Sequence, residues 1–85
     1  MQAMKVVSSP DMNKITLTSN VRVFMRRTPS SKLLFRTGSE LPRGSVVTVG
    51  DSVPMTYDHR DQQAFPLIRM EGHFILEEET RQERP

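Results

Sequence analysis

The chain has 85 residues and no cysteine, which bounds it to one domain and excludes disulfides and thiolate metal sites. It holds no apolar run near the roughly 20 residues of a membrane-spanning helix. The net charge of +2 conceals an asymmetry: residues 1–45 carry eight Lys/Arg against two acidic residues (net +6), and residues 46–85 carry four against eight (net −4).

Residues 1–13 lack periodicity and close on Ser8-Ser9-Pro10-Asp11-Met12-Asn13, which is turn chemistry. They read as a flexible arm with an extended piece at Lys5–Val7. The start has one lysine and no apolar h-region, so no signal peptide is expected. Lys14–Thr18 alternates strictly, with Ile15 and Leu17 on one face, and Ser19-Asn20 breaks the strand. Val21–Met25 alternates again, setting Val21, Val23 and Met25 against Arg22, Phe24 and Arg26. The pattern leaves the exposure of Phe24 open and assigns Phe35 to the core.

Arg27–Ser31 is punctuated by Pro and Ser and reads as a loop. Leu33–Arg36 is a short strand, Thr37-Gly38-Ser39 a turn, and Leu41-Pro42-Arg43-Gly44 a second turn. Ser45–Val49 is β-branched at Val46, Val47, Thr48 and Val49, the strongest strand signal in the chain. Val53–Tyr57 contains Pro54, which cannot donate to a ladder and so predicts an edge, a place for a partner strand. Asp58–Gln63 reads as a polar hairpin loop. Ala64–Met70 and His73–Glu77 flank a hairpin turn at Glu71-Gly72. Thr80–Pro85 is a charged tail, with a short terminal helix as the alternative.

No longer segment has helical apolar spacing. Several strands with turns at close intervals predict an all-β barrel of five to seven short antiparallel strands, spanning residues 14–79 between the arm and a disordered tail at 80–85.

Little here points to catalysis or to a cofactor. No serine lies in a nucleophile elbow and no cysteine offers a thiolate, so the chain is not expected to be an enzyme. Asp58, His59 and Asp61 are metal-capable but sit together in one loop without a second His motif, so the reading is no metal and a solvated hairpin tip. Arg22, Arg26, Arg27, Lys32, Arg36 and Arg43 form a basic stripe suited to carboxylate or phosphate. Tyr57 and Phe65 flank the polar loop and are candidates for lining a shallow groove.

The stretch Asn20-Val21-Arg22, then Thr28-Pro29-Ser30-Ser31, then Leu41-Pro42-Arg43-Gly44 leading into Val46-Val47-Thr48-Val49, resembles the bacterial SH3 (SH3b) family. A closing hairpin with Phe65–Met70, Gly72 and Phe74-Ile75 completes the likeness, which runs from Lys14 to Glu77. The resemblance implies an SH3-like barrel and a non-catalytic binding module in the bacterial cell envelope, engaging a protein partner or a peptidoglycan-type ligand. The family's tryptophans are absent, and Val23-Phe24-Met25-Arg26 stands where a short Ser-Gly-Pro loop is usual.

The candidate ligand-binding residues are therefore Arg22, Arg26, Arg27, Tyr57 and Phe65. A nucleic-acid-binding barrel using the basic stripe is the alternative. A third reading is an oligomeric structural component, in which the +6 half of one copy meets the −4 half of the next.

Overall fold

The computed structural model describes residues 13–81. Among them are seven short strands: β1 (Asn13–Thr16), β2 (Val21–Met25), β3 (Phe35–Leu41), β4 (Val46–Val49), β5 (Val53–Tyr57), β6 (Arg60–Pro66) and β7 (His73–Leu76). One helical turn, α1 (Glu77–Thr80), follows. The fold is all-β and barrel-like. The expected extended piece at Lys5–Val7 and most of the charged tail lie outside the described residues.

Five strands form an antiparallel sheet in the order β3-β2-β7-β6-β5, and β1 pairs with β4 in a second sheet. Two sets of backbone bonds tie these pieces together. At the far end of β6 the chain changes partner: Gly50 donates to the Pro66 carbonyl (3.0 Å) and Ile68 to the Thr48 carbonyl (3.0 Å), joining β6 to β4. At the other side, Thr56 donates to the Lys32 carbonyl (2.7 Å) and accepts from the Leu34 N–H (2.9 Å). The segment leading into β3 thus pairs in parallel with the outer edge of β5 and curls the sheet toward closure. This edge had been expected to await a partner strand. Its Thr56 end is already paired, and Pro54, two residues along on the same edge, has no N–H to offer.

Each face of the sheet has its own core. Val21 and Val23 of β2 and Ile75 of β7 pack with Leu17, Val49 and Leu67 beneath the β1–β4 pair. On the opposite face Phe24, Phe74 and Leu76 pack with Leu34, Met55 and Ala64. Strict alternation in β2 therefore does not separate buried from exposed residues. Phe24 is 0% exposed because its face is covered too, whereas Met25, grouped with Val21 and Val23 by period, is 37% exposed.

Four sequence boundaries are corrected. Thr37-Gly38-Ser39 lies within β3 and bends it without reversing it. From Arg22 to Phe24 β2 advances two residues while β3 runs from Glu40 back to Arg36, a bulge opposite Val23. Gly38 sits there at φ +86°, and the Thr37 hydroxyl donates to the Val23 carbonyl (2.8 Å) while accepting the Ser39 N–H (3.1 Å). The polar run Asp58–Gln63 is mostly strand: β6 begins at Arg60, paired with Tyr57, and only Asp58-His59 turns, at φ 56° and 64°. Its polar composition reflects a solvent-facing ladder. Strand β6 ends at Pro66 rather than Met70, because Leu67 crosses between β7 and β4. Strand β7 ends at Leu76, and Glu77 opens α1.

Candidate binding surface

Strand β2 and the loop after it carry three of the five candidate residues, and the fold gives them two different settings. Arg22, near the start of β2, faces α1. Both its backbone and its side chain bind one carboxylate: the N–H donates to Glu79 Oε1 (3.0 Å), and Nε and Nη2 donate to Oε2 (2.8 and 2.5 Å). The Ser19 hydroxyl caps the arrangement by donating to the Glu79 carbonyl (3.3 Å). The guanidinium also lies over Phe24 and Tyr57, at 5.1 and 5.5 Å from the ring centres, and these two rings meet edge to face at 4.7 Å.

Hydrogen bonding to Glu79 raises the Arg22 pKa above its ordinary value, against a smaller opposing effect of burial and with help from the charge of Glu79 and from Tyr57. The adjoining cleft, about 260 Å³, mixes Arg22, Tyr57, Asp58, Arg60, Glu78 and Glu79. Arg22 therefore ties the last helical turn to the sheet.

Arg26 and Arg27 sit at the other end of β2. Arg26 lies over the Phe74 ring at 5.2 Å, and its N–H donates to the Gly72 carbonyl (3.1 Å). Arg27 lies over Phe35 at 4.5 Å. Among the described residues, carboxylates come within ion-pair distance of Arg22 and Arg81 and of no other Lys or Arg. Among the described residues Arg26, Arg27, Lys32 and Arg36, near the β2–β3 connection, form no ion pair, and neither do Lys14, Arg43, Arg60 and Arg69; Arg26 and Arg36 lie on the face of Phe74 and Phe24.

Beside Arg27 is sheet surface that the β1–β4 pair does not reach. Phe35, Met25 and His73 are register partners across β3, β2 and β7, on the face whose other end carries Val21, Val23 and Ile75. Met25 is 37% and Leu33 47% exposed, and Phe35 and His73 are half-buried. Phe35, expected in the core, is thus an edge residue of an open face. Sequence periodicity missed this surface because it marks Met25 as apolar without saying where the covering layer stops. It also missed Glu79, whose role depends on a contact 57 residues away.

Tyr57 and Phe65 do not line one groove. Tyr57 packs against the core containing Phe24, and Phe65, on the opposite face of β6, packs against the core containing Val23. Asp58 and His59 form the tight turn, and the Asp61 carboxylate accepts the Thr56 hydroxyl (3.1 Å). No three metal-capable side chains converge among the described residues. A separate apolar cleft of about 360 Å³ lies between Val46, Val47, Leu67 and Met70, with Lys14 and Arg69 at its rim. No helix of the described residues is long and apolar enough to cross a membrane.

Comparison of the chain with protein-family models, with curated proteins and with solved structures found no match.

Proposed function

We propose that this protein is a non-catalytic binding module of bacterial SH3 type that engages a protein partner in the cell envelope through the open end of its sheet. The observation that carries this reading is the row Phe35–Met25–His73, left uncovered where the β1–β4 layer ends and bordered by Arg27, whose guanidinium lies over Phe35. An apolar strip of Phe and Met flanked by an arginine has the make-up of a protein-binding surface, where aromatic residues, Met and Arg are enriched.

A peptidoglycan-type ligand draws less support. Of the two aromatic residues nominated for a glycan groove, Tyr57 and Phe65 serve different cores. Nucleic-acid binding through stacked bases is also weakened, since Phe24 is buried and Phe35 already has a guanidinium over one face.

The test is a pull-down from envelope extract and from purified cell wall, with the intact protein and with Arg26→Ala/Arg27→Ala. A protein recovered by the first and lost by the second supports the proposal. Recovery of wall alone, or of no ligand at all, contradicts it.

A further inference from the structure

A second site lies away from the open row and does not depend on it. We infer that the cleft beside β4 takes the carboxyl-terminal end of a peptide chain whose last side chain is apolar.

Strand β4 has two edges. On one it pairs with β1: Val46 is the register partner of Thr16, and Leu17 donates to the Ser45 carbonyl (2.8 Å). On the other, Ile68 donates to the Thr48 carbonyl (3.0 Å) and Gly50 to the Pro66 carbonyl (3.0 Å). Alternate residues of a strand turn their backbone groups to the same edge, so the N–H and C=O of Val46 face the side of Ile68. After Ile68 the chain leaves β4, because Met70 donates back to the Leu67 carbonyl (3.2 Å). Val46 has no backbone partner on that edge among the described residues, and it is 64% exposed.

This free donor and acceptor adjoin the cleft of about 360 Å³. Val47 and Leu67 form its floor, resting on the core that holds Val21 and Ile75, and Val46 and Met70 flank it. An extended peptide supplies what both features call for, a backbone donor and acceptor and an apolar side chain. A lipid tail supplies only the second. Ile68 occupies the edge at Thr48, so a strand laid along Val46 has to end in the cleft.

Charge decides which end of the chain fits. Both cations of the cleft rise from the side where that strand stops: Lys14 is the register partner of Thr48, and Arg69 follows Ile68. No carboxylate lines this cleft, whereas both clefts beside α1 set their arginines among Asp and Glu side chains. A terminal carboxylate gains charge-assisted hydrogen bonds there, and a terminal ammonium is repelled.

Fluorescence anisotropy tests this with peptides labelled at the amino end, Gly-Ser-Gly-Ser followed by Val, Leu or Phe. One set ends in a free carboxylate and one in an amide, and octanoate competes as an apolar anion without a peptide group. At least one free-acid peptide is expected to bind roughly tenfold or more tighter than its amide. Lys14→Ala/Arg69→Ala should remove that preference. Met70→Ser should weaken binding while the circular dichroism spectrum stays unchanged, and Arg26→Ala/Arg27→Ala should leave it as it is.

Equal binding of the two sets, or the absence of binding by either, overturns the inference. Displacement by octanoate at concentrations no higher than the unlabelled peptide needs overturns it as well, since no backbone pairing is then required. So does binding that appears only after residues 1–12 are removed, which assigns the cleft to the start of the chain itself.

Discussion

Arg22 and Arg27 stand five positions apart, each over an aromatic ring, and they do opposite work. Arg22 is closed over: Glu79 takes its backbone N–H and its guanidinium, and Phe24 and Tyr57 flank it. Arg27 is open: Phe35 lies beneath it and no carboxylate of the described residues pairs with it. The difference lies in the neighbouring chain. α1 returns to the start of β2, while at the other end of the strand the β1–β4 cover has already stopped. Strand β2 and the loop after it therefore carry one arginine tied to a carboxylate and one with no ion pair among the described residues, which residue type alone does not separate.

The largest effects should separate the two ends through their rings. Phe24→Ala is expected to cost about 3–5 kcal/mol in urea unfolding, the range for a fully buried phenylalanine. Phe35→Ala, on the half-covered edge, should cost less than half as much. Similar losses at both positions would erase the distinction between closed and open ends.

Next come the charged groups. Glu79→Ala leaves the Arg22 N–H and guanidinium without their acceptor and should cost about 1–3 kcal/mol. Arg27→Ala should cost under about 1 kcal/mol, the size of an exposed cation–π contact. Ligand binding should respond in reverse order, with Arg27→Ala the more damaging. A Glu79→Ala protein as stable as wild type would show that the three-bond contact contributes nothing to the fold.

The smallest effect probes the turn that carries Tyr57 toward Arg22. His59 holds φ +64°, a conformation that favours glycine over a side chain bearing Cβ. His59→Gly should therefore raise stability by up to about 1 kcal/mol and leave ligand binding untouched. A change in affinity would place the binding surface at the closed end.

Much of the architecture was legible in the sequence. The alternation of Val21–Met25, the β-branched run Val46–Val49 and the Pro42–Gly44 turn all mark elements the fold contains. Period two failed where its assumption of one buried face failed. β2 is covered on both sides for most of its length, so Phe24 went undecided and Met25 was grouped with the core. The Asp58–Gln63 run failed for the opposite reason: a solvent-facing strand is as polar as a loop, and composition does not distinguish them. Gly38 marked a real disturbance, but whether glycine at positive φ reverses a chain or bulges it depends on the partner strand, here the Val23 carbonyl reaching Thr37.

The candidate site was legible by halves. The basic stripe nominated Arg26 and Arg27, because cation clustering is local in sequence. The partition between Arg22 and those two, and the separation of Tyr57 from Phe65, depend on long-range contacts that local pattern does not carry.

An NMR titration of the isotope-labelled protein with the partner recovered in the pull-down tests the account most directly. Shifts concentrated at Met25–Arg27, Leu33–Arg36 and Gly72–His73, with Tyr57–Arg60 and Glu78–Glu79 unmoved, are the predicted result. Shifts centred on the Arg22–Glu79 end, or on the cleft beside Val46 and Met70, would contradict it.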